Sequence, residues 1–67
     1  MARPFNVNLL RTLDMTARML ELADDGDRDH DDPSCAAMYG ILRDMAYRLR
    51  KLAQDECERH QKTRKWD

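Results

Sequence analysis

From Cys35 to Cys57 the apolar residues return every three or four positions: Cys35, Met38, Tyr39, Ile41, Leu42, Met45, Ala46, Leu49, Leu52, Ala53 and Cys57. At about 100° per residue they fall within roughly 160° of one helix circumference, while the period of two that a strand requires fails at once. Arg43, Asp44, Arg50, Lys51, Gln54 and Glu58 take the opposite side. Asp32-Pro33 supplies the start. A carboxylate accepts the unpartnered N–H groups of a first turn, and Pro suits the first helical position because its missing N–H is not needed there. Ser34 is a second possible cap. The spacing predicts a helix over residues 33–62, followed by a short basic tail. The rows Cys35–Leu42–Leu49 and Met38–Met45–Leu52 read as a heptad seam, suited to a short coiled coil or a bundle.

A second periodic stretch precedes it. Phe5, Leu9, Leu10, Leu13, Ala17, Met19, Leu20 and Ala23 share one face and predict a helix over residues 5–25. Pro4, Asn6 and Asn8 are all plausible start signals, and Gly26 suits the left-handed position that closes many helices. Met15 and Leu22 lie to one side, widening the apolar arc to about 240° when Thr12 and Thr16 are included. An arc that broad implies more than one neighbour. The acidic connection over residues 26–32 is short, so the two helices turn back on each other as an antiparallel hairpin.

Length adds a constraint. A 67-residue chain makes a single domain (1–67) that hides only about 60% of its unfolded surface, and such scaffolds usually need a staple. Two cysteines allow one disulfide at most, the N-terminal residues do not read as secretory, and reduced thiols in the cytoplasm are expected. No apolar run approaches the roughly 20 residues that span a bilayer, so no membrane association is expected. Oligomerisation remains as the staple. The expected fold class is all-α: an antiparallel two-helix hairpin dimerising into a four-helix bundle. Its expected interface draws Leu9, Leu13, Met15, Leu20 and Leu22 from the first helix and Met38, Leu42, Met45, Leu49 and Leu52 from the second. In layout such a homodimer resembles the small plasmid copy-number regulators that are dimeric helical hairpins; the likeness is architectural and implies no function.

The net charge of −1 hides a segregation, with Asp24, Asp25, Asp27, Asp29, Asp31 and Asp32 in one stretch and Arg59, Lys62, Arg64 and Lys65 near the C-terminal end. Carboxylates at the end of a helix oppose its dipole, and nothing in the sequence of the hairpin visibly compensates them. An antiparallel dimer would set Asp24, Asp27 and Asp29 of one subunit against Arg59, Lys62 and Arg64 of the other.

The candidate chemistries fare less well. Asp27-Arg28-Asp29-His30-Asp31 opens like a calcium-binding EF-hand loop, but the sixth and twelfth positions hold Asp32 and Met38, where Gly and Glu are required. Cys57 and His60 have a spacing that can ligate zinc from one helix face. Cys35 lies about 33 Å away along a straight helix and cannot join them within one chain. No metal or cofactor is expected. Neither His30 nor His60 has a nucleophile at a recognisable spacing, so no catalytic residue is assigned and the chain is not expected to be an enzyme. The leading reading is a non-catalytic adaptor or regulator acting through the outer faces of a homo-oligomeric bundle. The alternative is a small RNA- or DNA-binding regulator using Arg43, Arg48, Arg50, Lys51 and the basic tail with Trp66.

Overall fold

The computed structural model describes residues 4–63, and its regular structure is two helices, α1 (Pro4–Asp29) and α2 (Pro33–Lys62), packed side by side as an antiparallel hairpin. No described helix is long and apolar enough to cross a membrane. α2 begins where its start signal stands. Asp32 has an extended backbone (φ −148°, ψ 161°), and its Oδ1 accepts the Cys35 N–H at 2.7 Å. At the other end, Thr63 donates its N–H to the Arg59 carbonyl at 3.1 Å.

The connection differs from the expected acidic loop over 26–32. α1 continues through Gly26 to Asp29, leaving only residues 30–32 between the helices. Gly26 does not close the helix. It lies inside it, buried, where a Cβ atom would overlap the ring carbons of Tyr39. The missing side chain serves the close approach of α2. The helix ends instead at His30, whose N–H reaches the Gly26 carbonyl at 2.8 Å.

The line of contact follows a heptad. On α1 it runs through Asn6, Leu9, Leu13, Thr16, Leu20, Ala23 and Asp27; on α2 it runs through Tyr39, Leu42, Ala46, Leu49, Ala53, Glu56 and His60. Steps of three and four alternate along both, as in shallow, coiled-coil-like packing. The buried apolar residues among those described are Ala23, Ala46 and Ala53, with the polar Asn6 and Thr16 beside them. Thr16 satisfies its hydroxyl by donating to the Leu13 carbonyl at 2.7 Å. Leu9, Leu13, Leu20 and Leu42 are half-buried along this same line, so they already serve the hairpin itself. The row Met38–Met45–Leu52 lies one step off the contact line and remains exposed.

The two glycines therefore carry opposite expectations. At Gly40 a Cβ would meet nothing within 4 Å. Gly40→Ala is expected to stabilise the chain by up to about 1 kcal/mol through helix propensity. Gly26→Ala is expected to destabilise it by about 1–3 kcal/mol, because the added methyl overpacks against Tyr39. Chemical denaturation of the two variants measures both signs.

Candidate functional site

The hairpin has two broad sides that differ in chemistry. One is polar and is organised by Arg43. From α2 this arginine reaches Asp27, in a short ion pair, and Asp24, at 2.6 Å, on the last turns of α1. The hydrogen bonds to Asp27 and Asp24 raise its pKa above the ordinary arginine value. Arg28 adds pairs to Asp25 at 3.2 Å and Asp29 at 3.1 Å. The hydrogen bond from Arg28 lowers the Asp29 pKa below the usual carboxylate range.

The carboxylates at the end of α1, expected to lack compensation within the hairpin, are thus compensated inside it. The sequence hid this because Arg43 lies 16 and 19 positions away from its partners. Of the basic residues expected to meet the loop from another subunit, Arg59 pairs with Glu56 on its own helix. Lys62 is exposed at the end of α2, and Arg64, like Lys65 and Trp66, lies outside the described residues.

The open end of the hairpin is tied by His60. Its Nδ1 lies 2.8 Å from Oδ1 of the buried Asn6, and its ring meets Phe5 edge-on at 5.1 Å between centroids. Glu56 stands 3.6 Å from Nε2. With its Nδ1 directed at Asn6, His60 acts in this arrangement as a tie between chain ends 54 positions apart. His30 is at the opposite end, in the connection. Asp31, Asp32 and Cys35 bring ligand-type atoms within 4.8 Å of one another, but the Asp32 carboxylate is already the cap of α2.

The other side is apolar. Met19, Met45, Arg48, Leu49 and Leu52 line a shallow groove between the helices. Met15 and Leu49 border the neighbouring hollow with Asn8, Arg11, Thr12, Asp14 and Arg18. Met15, Leu22, Met38, Ile41, Met45 and Leu52 are each more than half exposed. In the heptad these residues flank the contact line on the side away from Arg43 and Asp24, so one face gathers the six most exposed large apolar groups, whereas Leu10 and Tyr47, each less exposed, stand on the other. Six of the ten expected interface residues, Met15, Leu22, Met38, Met45, Leu49 and Leu52, are brought to this face. Met19, Ile41 and Arg48 belong to it as well. Ile41 and Arg48, seven apart on the outer flank of α2, carried a heptad signal that the apolar pattern obscured because one of them is charged.

Acid should weaken the fold through the groups whose pKa is lowered. The Cys35 N–H lowers the Asp32 pKa, and the hydrogen bond from Arg59 lowers that of Glu56. A carboxyl with a folded pKa below its unfolded one contributes stability above the unfolded pKa and loses it as pH falls through the folded value. The melting temperature should therefore fall on acidification below the ordinary carboxylate range. Asp32→Asn keeps a competent cap without a titrating group. It should melt close to the parent at pH 7 and lose less on acidification, as followed by circular dichroism.

Comparison of the chain with protein-family models, with curated proteins and with solved structures found no match.

Proposed function

We propose that this chain is a non-catalytic interaction protein that works as a homodimer, in which two hairpins close their apolar faces into a four-helix bundle and offer their charged outer sides to a partner as an adaptor or regulator. The observation that carries this reading is the contrast between the two environments. The seam of the hairpin buries alanines and takes Leu9, Leu13, Leu20 and Leu42 only in part, whereas Met15, Leu22, Met38, Ile41, Met45 and Leu52 stand more than half exposed on one open face. A helix normally covers its large apolar residues and leaves the small ones wherever they fall. Here that logic is satisfied only if a second layer covers the face.

Areas agree. The hairpin exposes 5273 Å², whereas a compact monomer of 7.9 kDa exposes about 4,400 Å². The excess is several hundred Å², comparable with the roughly 800 Å² per partner of a standard interface. Fully burying one such side chain is worth about 1.5–3 kcal/mol. Six per chain, each more than half exposed, make covering this face the largest gain in apolar burial open to the hairpin. Nucleic-acid binding is less well supported, because Arg43 is engaged by Asp24 and Asp27 and Arg59 by Glu56.

Sedimentation at micromolar concentration should return twice the chain mass. Met45→Glu and Leu52→Glu place a charge where the isolated hairpin is open to water, so a monomer would tolerate both within about 0.5 kcal/mol. In the dimer each should weaken association by about 100-fold or more, since the charge loses water without gaining a partner. A wild-type chain that stays monomeric and stably folded would overturn the reading.

A further inference from the structure

The apolar face has a midpoint and a charge pattern, and together they specify how a second copy sits on it. Resting on the homodimer reading, we propose that the two hairpins pair antiparallel about a twofold axis passing near Met19 and Met45, α2 on α2 and α1 on α1. Arg48 of each chain then meets the second copy's Asp44.

The midpoint comes first. The exposed apolar side chains of α2 run from Met38 to Leu52 and centre on Met45; those of α1 run from Met15 to Leu22 and centre beside Met19. Met19 and Met45 line the same groove, so both helices set the middle of the face at one level. A twofold axis at that level covers the patch of each copy with the patch of the other.

The charges then choose between the two ways of stacking. With the copies antiparallel, the level opposite Arg48 falls two residues from the second copy's Asp44, about 3 Å along the helix. An extended arginine spans that offset, and symmetry makes the pair twice. With the copies parallel, α2 lies on the second copy's α1 at equal height. Arg48 then stands near the second copy's Arg18, like charge against like.

Arg48 sharpens the choice because it borders the apolar groove itself. A charge covered there without a partner is strongly disfavoured. Among the described residues, Arg48 and Asp44 form no ion pair within the chain, while Arg18 holds Asp14 only in an exposed pair one turn away on its own helix. The charges at the edge of the face are thus available to the second copy, and they select its direction more than they add to its affinity.

Two measurements test the arrangement. Asp44→Arg and Arg48→Asp should each weaken self-association about tenfold. Mixing the two variants should restore a dimer to within about threefold of the parent, because the pairs between unlike chains are complementary. Neither variant has opposite charges at 44 and 48 within its own helix, so intrahelical pairing cannot produce the recovery. Spin labels at Gln61→Cys, in a chain carrying Cys35→Ala and Cys57→Ala, should report a separation of about 45–50 Å in the antiparallel dimer, from 1.5 Å of rise per residue. A parallel dimer would bring them within roughly 25 Å, about the width of the bundle. A dimeric mass with a short distance, or with no recovery on mixing, overturns the orientation and leaves the homodimer standing. A monomeric mass overturns both. If the cysteine-free chain does not fold, the mixing experiment decides with the native cysteines in place.

Discussion

Small side chains between the two helices govern everything else in this molecule. Gly26, Ala23, Ala46 and Ala53 let α1 and α2 approach until the Tyr39 ring fills the space above Gly26. Close approach has a consequence for the large residues. A narrow contact line can hold only a few of them, as the half-buried Leu9, Leu13, Leu20 and Leu42 show, and the rest are displaced to the flanks. The exposed apolar face is therefore the other half of the same packing decision.

Polar interactions hold the register of that thin seam at its two ends. Near the connection, the Arg43 guanidinium bridges to Asp24 and Asp27, and the Asp32 carboxylate caps α2. At the open end His60 meets the buried Asn6. Hydrogen bonds of this kind contribute modestly to net stability, but an unsatisfied buried partner is costly. A slip by one heptad would strand Asn6 away from His60 and Arg43 away from its aspartates, whereas an all-alanine seam alone would tolerate it. The ties specify one alignment and so keep Met19 level with Met45 across the groove.

A hairpin with one polar and one apolar side has the form of half a bundle. The polar side is already satisfied within the chain, which makes it a surface suited to water or to a transient partner. The apolar side is not, and five of its exposed positions carry methionine or leucine on facing turns. Methionine adapts its shape to irregular gaps, a property useful where two copies of one surface must interlock without being complementary in advance. The self-association proposed for this side and the recognition proposed for the other are compatible because the helices separate the two.

How much of this was legible in the residues can be judged element by element. The recurrence of apolar residues from Cys35 to Cys57, the Asp32-Pro33 start and the short connection determined two antiparallel helices, because helical period and capping are local properties of the chain. Gly26 was legible as special but not in its role: a glycine suits either a helix end or a close approach, and only the position of Tyr39 decides which. The same holds for the apolar rows. Along the helix, Met45 and Ala46 are neighbours on one broad stripe, and nothing local says which of them turns toward α1. Tertiary packing placed the alanine inside and the methionine outside, since helices come closest where side chains are smallest. It also joined Arg43 to Asp24 and Asp27, and His60 to Asn6, across separations that periodicity does not record. The sequence by itself determined the helices and the width of their apolar surface; the tertiary structure decided which part of that surface the hairpin consumes and which part it leaves open, because that division depends on the distance between two helix axes.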